Sequence, residues 1–250
     1  MILKTLNALV GKFGYRILKN EVSAIVDIQG DKEFMEIYHQ VKTFTMTSPE
    51  RMYSLYKSVE YVIDNNIPGD FVECGVWRGG CSMIMALTLI KKGVTNRKIY
   101  LYDTFEGMSE PTDADKAFSG EPAQDLLNSQ DRLDNTSVWC YSAIDEVKAN
   151  LAKTGYPQNN LVFTKGKVED TIPATIPGQL AILRLDTDWY ESTMHELQHL
   201  YPLLREKGVL IIDDYGHWEG ARKAVDTYFS QHKVNVLLNR IDYTGRIAIK

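Results

Sequence analysis

The sequence predicts a doubly wound α/β fold: a mostly parallel sheet with helices on both faces, ending in an antiparallel C-terminal hairpin. Three observations predict it. From Asp70 onward, short apolar runs rich in β-branched residues alternate with helical patterns. Two of those runs, ILRLD and VLIID, are almost continuously apolar, as strands buried on both faces must be. The last two runs are joined by a short polar link, which suits antiparallel neighbours and is too short for a parallel crossover.

In chain order, the strand candidates are DFVECGV (70–76), KIYLYD (98–103), NLVFTKG (160–166), LAILRLD (180–186) and GVLIIDD (208–214). The hairpin runs VNVLLNR (234–240) and GRIAIK (245–250) follow. Helical patterns over Ser82–Lys91, Ser142–Lys153, Ser192–Leu204 and Gly220–Phe229 supply the crossovers. About fifty residues separate Asp103 from the next strand, far more than an ordinary link. The polar, Asp-, Ser-, Pro- and Gly-rich stretch from Glu106 to Asn135 marks an insertion over about 106–141. At the carboxyl end of a parallel sheet it is expected to be a lid or acceptor-selecting loop, the plain alternative being a surface loop.

Ahead of the sheet, Ile2, Leu6, Leu9, Val10, Phe13 and Ile17 share one helical face, and Lys4, Lys12, Arg16 and Lys19 another. Such a stripe either packs on the rest of the chain or on a partner subunit, or rests weakly on an anionic membrane surface. The expected division is an N-terminal helical or lid segment, 1–42, followed by the main domain, 43–250.

The 250 residues are 44% hydrophobic and 24% charged, an ordinary globular balance. A net charge of −5 leaves no basic field to hold nucleic acid. Cys74, Cys81 and Cys140 cannot all pair and form no CxxC, which suits a reducing, cytoplasmic setting. No run approaches the roughly 18 apolar residues of a membrane span. The chain is expected to act as a homo-oligomer on a small molecule.

Three places carry chemistry. In FVECGVWRGGCSM, a strand ends near Glu73, Gly75, Gly79 and Gly80 follow, and a helix opens near Ser82. Glycines let backbone N–H groups approach a ligand, but the spacing is neither GxGxxG nor GxxxxGK[ST]. Glu73 would repel a pyrophosphate and attract an ammonium group, such as the one S-adenosylmethionine carries beside its sulfonium. Asp103 ends the second strand, where a carboxylate accepts from both ribose hydroxyls or else caps a helix. The fourth and fifth strands end in LDTDWYES and IIDDYGHW, bringing Asp186, Asp188, Asp213 and Asp214 to one rim. Four such carboxylates repel one another, and a hard divalent cation such as Mg²⁺ relieves this while activating a substrate hydroxyl, the plain alternative being loop-capping aspartates.

ECGVWRGG, LYDTFEGM, LRLDTDWYEST and LIIDDYGHWEGARKAVDTYF, preceded by TMTSPERMYSLYKSVEYV, resemble the macrocin O-methyltransferase family of sugar-modifying enzymes. The resemblance covers roughly residues 43–250. It implies a class I methyltransferase fold, S-adenosylmethionine, Mg²⁺ and often sugar hydroxyls as acceptors. By this resemblance Asp186, Asp213 and Asp214 are the metal ligands, with Asp186 also beside the cofactor, and Asp188 is the general base. Glu73, Gly75 and Ser82 hold the methionine end, with Thr45 and Met46 close by. Asp103 takes the ribose, and Lys167, Val168 and Glu169 flank the adenine. Cys81 departs from the small residue expected beside the methionine turn.

A competing motif is His195-Glu196-Leu197-Gln198-His199, an HExxH zinc signature with Glu219 downstream. Met194, Leu197, Tyr201 and Leu204 are expected to form the buried stripe of that helix, turning the histidines to its flank. Trp77, Trp189, Tyr190, Tyr215 and Trp218 are candidates for stacking on an acceptor, or packing material; His217 is a candidate substrate contact. The alternative to an enzyme is a non-catalytic protein that binds a nucleoside or nucleotide-sugar.

Overall fold

The computed structural model describes residues 26–134 and 137–250. The amphipathic stretch over residues 2–19, and the membrane-surface or partner contact expected of it, lie outside them.

Three helices precede the sheet: α1 (Val26–Gly30), α2 (Lys32–Val41) and α3 (Pro49–Asp64). The Asp31 carboxylate accepts from the N–H of Phe34 to start α2, and the Ser48 hydroxyl accepts from the N–H of Arg51 to start α3. Pro49 opens α3, where a missing N–H costs nothing. Phe34, Ile37 and Val41 on α2 pack with Met52, Leu55, Val59 and Val62 on α3 in the core that covers one face of the sheet.

The remaining elements are β1 (Asp70–Cys74), α4 (Gly80–Lys91), β2 (Ile99–Asp103), α5 (Ala123–Asn128), α6 (Ile144–Ala152), β3 (Leu161–Lys165) and α7 (Val168–Thr171). Then come β4 (Leu180–Leu185), α8 (Tyr190–Leu200), β5 (Leu204–Ile212), α9 (Glu219–His232), β6 (Asn239–Arg240) and β7 (Arg246–Ile249). The strands form one sheet in the order β3-β2-β1-β4-β5-β7-β6. β1 to β5 pair in parallel, and β7 runs antiparallel to both β5 and β6. This is the doubly wound, class I methyltransferase arrangement expected from the sequence.

Side chains alternate across the sheet. Phe71, Leu101, Ile182 and Ile211 join the core beneath α2, α3, α4 and α6, while Val72, Tyr102, Leu183 and Leu210 face α8 and α9. The crossover after β1 therefore leaves on one face and the crossover after β4 on the other. A crevice opens where they diverge, at the carboxyl ends of these adjacent strands. No described helix is long and apolar enough to cross a membrane.

Two boundaries differ from expectation. The helix expected to reach Leu204 ends at Leu200, a 3-10 turn spans Tyr201–Leu203, and β5 starts at Leu204 instead of Gly208. Pro202 has no N–H to continue the helix. The first hairpin run shrinks to Asn239–Arg240, because β7 offers it only Ile247 and Arg246 as partners. Val234 and Leu238 instead pack against the core beneath α9.

Candidate active site

The crevice holds a cavity of about 350 Å³. Every cofactor, metal and catalytic residue expected from the sequence lines it except Ser82.

At the end of β1 the chain turns through Gly75, with φ of +80°, directly against the backbone of Asp186. A Cβ there would run into the Asp186 carbonyl oxygen, so only glycine lets β1 and β4 close up behind the cavity. Glu73 points into the cavity from a buried position and accepts from Arg184 Nη1 at 2.8 Å and from the Ser82 hydroxyl. Ser82 is fully buried and stands behind Glu73, holding it in place without reaching the cavity. Burial pushes the Glu73 carboxyl up to about 7 against the pull of Arg184 and Ser82. The N–H of Gly80 donates to the Phe44 carbonyl at 2.9 Å, which brings Thr45 and Met46 to the same rim. Cys81 Sγ lies 3.6 Å from the hydroxyls of both Thr45 and Thr47.

Asp103 lines the cavity but braces two loops as well. Its Oδ2 accepts from the N–H groups of Val76 at 2.7 Å and Trp77 at 3.0 Å, and its Oδ1 from that of Phe105 at 2.6 Å. Burial raises its pKa and these donors oppose the rise. Lys167, Val168 and Glu169, where α7 begins, supply another part of the wall.

Asp186 and Asp188 follow β4, and Asp213 and Asp214 follow β5. One oxygen each from Asp186, Asp188 and Asp214 lie within 4.8 Å of one another. Burial, reinforced by the neighbouring Asp186 charge, pushes Asp188 up to about 8. Asp186 and Asp214 are held well above the ordinary carboxylate range, first by burial and then by their acidic neighbours. Asp213 is engaged differently: Oδ1 accepts from Arg184 Nη2 at 2.7 Å and Oδ2 from Arg51. Arg51 also donates through Nε to Asp242 at 3.0 Å, tying α3 to the turn between β6 and β7.

Among the described residues, three buried side-chain polar atoms lack a partner: Trp77 Nε1, Asp214 Oδ2 and His217 Nδ1. All three residues line this cavity. Buried polar atoms are rarely left unpaired, so their convergence marks where a ligand's polar groups belong.

A match to the macrocin-O-methyltransferase (TylF) family spans residues 38–248. The chain belongs to that family. It is 36% identical over 201 residues, 80% of this chain and 73% of the relative, to the 8-demethyl-8-(2,3-dimethoxy-alpha-L-rhamnosyl)-tetracenomycin-C 4'-O-methyltransferase of Streptomyces olivaceus. It is 30% identical over 248 residues, 98% of this chain and 94% of the relative, to the mycinamicin III 3''-O-methyltransferase of Micromonospora griseorubida. The solved structure of the O-methyltransferase NovP matches with a TM-score of 0.72 at 31% identity, covering 83% of this chain and 82% of that one. This TylF-family protein is an S-adenosylmethionine-dependent O-methyltransferase.

Two residues of this TylF-family enzyme went unnoticed in the sequence reading. Arg184 sits inside an apolar strand and is 2% exposed, yet it ties together Glu73, Asp186 and Asp213. The signal was available: a lone charge in LAILRL must meet buried acids. Arg51 carried no such signal, since a charge in the first turn of a helix is ordinary.

The aromatic candidates divide. Trp77 lines the cavity, whereas Trp189 and Trp218 pack edge-to-face on each other, 5.0 Å between ring centroids, in a small core beneath the insertion. Tyr215 donates its hydroxyl to Asp226, and neither it nor Tyr190 lines the cavity. The insertion contributes Gly107, Met108, Ser109 and Cys140 to the cavity and is pinned by Asp115, which is buried and accepts from the N–H groups of Thr112 and Tyr190. The HExxH residues form no metal site among the described residues. His195 Nε2 meets the Ile172 carbonyl, His199 Nδ1 meets the His195 carbonyl, and Glu196 turns into the core beside Leu197. The expected stripe of Met194, Leu197, Tyr201 and Leu204 left Glu196 out.

Proposed function

We propose that this enzyme methylates a hydroxyl of a sugar-bearing small molecule with the help of Mg²⁺. The acceptor class is supported by the two relatives above, whose names place methyl groups on a rhamnosyl unit and on mycinamicin III. The carrying observation is the carboxylate trio with its unpartnered, buried Asp214 oxygen, opening into the cavity that Glu73 and Asp103 also line. Its oxygen-only donors suit a hard cation, and their mutual repulsion is what a cation relieves.

Asp186, Asp213 and Asp214 would hold the ion. When bound, Mg²⁺ supplies Lewis acidity to an acceptor hydroxyl. Asp188 accepts the hydroxyl proton through its carboxylate. Glu73, beside the Gly75 turn, meets the ammonium of the methyl donor, Asp103 its ribose, and the Lys167–Glu169 wall its adenine. The insertion and the segment carrying Thr45 and Met46 exclude water and hold donor and acceptor in line. The unpaired thiols, two of them buried, suit the reducing cytoplasm.

A specific observation favours a second assignment of the ligands. Asp188 stands in the trio while Asp213 has both oxygens on arginines. Mn²⁺ affinity separates the two: loss in D213N supports the first assignment, whereas loss in D188N with none in D213N exchanges the roles. Activity itself is tested by mass spectrometry of sugar-bearing acceptors incubated with isotopically labelled S-adenosylmethionine. Transfer should stop with chelator and return with Mg²⁺; full transfer by metal-free protein would remove the ion from the reaction. A thermal shift with nucleotide-sugars but none with S-adenosylhomocysteine would favour a non-catalytic binding protein instead.

A further inference from the structure

Glu196, left over from the HExxH motif, has a job the zinc signature does not describe. It is fully buried on α8, where a leucine would serve packing alone and an unpaired carboxyl would be costly. Both of its oxygens meet one hydroxyl, that of Thr187, which donates at 3.0 and 3.1 Å. Thr187 is the residue between Asp186 and Asp188 and lines the cavity with them. Its carbonyl is held as well, by the N–H of Trp189 at 2.8 Å and the Ser192 hydroxyl at 3.4 Å.

The turn needs this support. Asp188 has φ of +68°, a left-handed conformation that a non-glycine residue keeps only when its surroundings enforce it. Without an anchor on Thr187, backbone preference would move Asp188 away from Asp186 and Asp214.

We propose that Glu196 is the positioning residue of the Asp186–Thr187–Asp188 turn, gripping the Thr187 hydroxyl from the crossover helix and so holding the flanking carboxylates in one cluster with Asp214. The inference rests on the reading of that cluster as a cation site. Glu196 touches neither cavity nor ion; it acts through Thr187.

The test uses the full chain, with Mn²⁺ binding followed by electron paramagnetic resonance and S-adenosylhomocysteine binding by calorimetry. E196A and T187V should each weaken Mn²⁺ binding by about 10- to 100-fold, the usual effect of removing a group that orients metal-binding side chains. The double variant should lose no more than either single one, because both changes break the same contact. E196Q and T187S keep an acceptor and a hydroxyl respectively, and should recover to within about threefold of the natural chain. S-adenosylhomocysteine affinity should change by less than about twofold throughout, which a general loosening of the fold would not permit. Should E196A fail to fold, T187V against T187S makes the same comparison without disturbing α8. Natural Mn²⁺ affinity in folded E196A or T187V, or additive losses in the double variant, would overturn the role of Glu196. No Mn²⁺ binding by the unaltered chain would instead remove the cation site, and this inference with it.

Discussion

Replacing Arg184 with methionine isolates the charge at the centre of the site. Methionine keeps an apolar stem in β4 and removes three donors: to Glu73 at 2.8 Å, and to Asp186 and Asp213 at 2.7 Å each. The partners Glu73 and Asp213 are as buried as Arg184 itself, so water cannot take its place. Removing one member of a buried ion pair costs about 3–5 kcal/mol. Glu73 gives the direction of the pH dependence. Its carboxyl stands at about 7 with Arg184 holding it down, and losing that guanidinium drives it higher.

For a chain of this size each kcal/mol lowers the melting midpoint by about 2–4 °C, so R184M should melt about 6–20 °C lower. The pH dependence has a definite sign. Carboxyls whose folded pKa exceeds the unfolded value of about 4 bind more protons folded than unfolded, so stability falls as pH rises between the two values. Losing Arg184 raises the Glu73 carboxyl further, so the R184M deficit should grow as pH rises through about 7, where Glu73 gives up its proton in the natural protein. Calorimetric melts of the metal-free protein across that range measure it. A deficit below about 1 kcal/mol that does not vary with pH would refute the argument.

Other outcomes follow from the same geometry. D188N should lose turnover by at least about a hundredfold while binding S-adenosylmethionine normally in calorimetry, since the general-base role proposed for Asp188 commonly contributes that much. Because burial and repulsion hold Asp188 near about 8 in the metal-free protein, cation binding at neutral pH should expel protons, and affinity should rise with pH up to that value. Calorimetry in buffers of different ionisation enthalpy counts the released protons; none released would contradict the raised carboxyls. G75A should weaken S-adenosylhomocysteine binding and lower the melting midpoint together, because the new Cβ meets the Asp186 carbonyl at a left-handed φ. D242N should loosen α3 from the turn between β6 and β7 and destabilise the fold by about 1–3 kcal/mol, read by urea denaturation.

Strand and crossover identity was legible in the sequence because burial leaves a period. LAILRL and GVLII suited strands covered on both faces, and the glycines after Glu73 with the carboxylate beside them suited a turn against a ligand. The four aspartates were legible for a related reason: parallel strands that end at one rim must bring their terminal residues together. What went unread lay where period and propensity are silent. The HExxH motif gave no sign that Glu196 is buried, Trp189 and Trp218 fitted acceptor stacking as well as the packing they perform, and Arg184 carried no role in the strand pattern.

By itself, then, the sequence determined the doubly wound fold, the turn after β1 and the set of carboxylates at the sheet's edge. Only the tertiary structure decided their partners: Asp213 with two arginines, Asp188 with Asp186 and Asp214, and Glu196 with Thr187. Periodicity reports which face of an element is covered. It does not report which side chain from α3, α8 or a neighbouring strand arrives there, because that meeting depends on sheet order and on how closely a glycine lets two backbones approach.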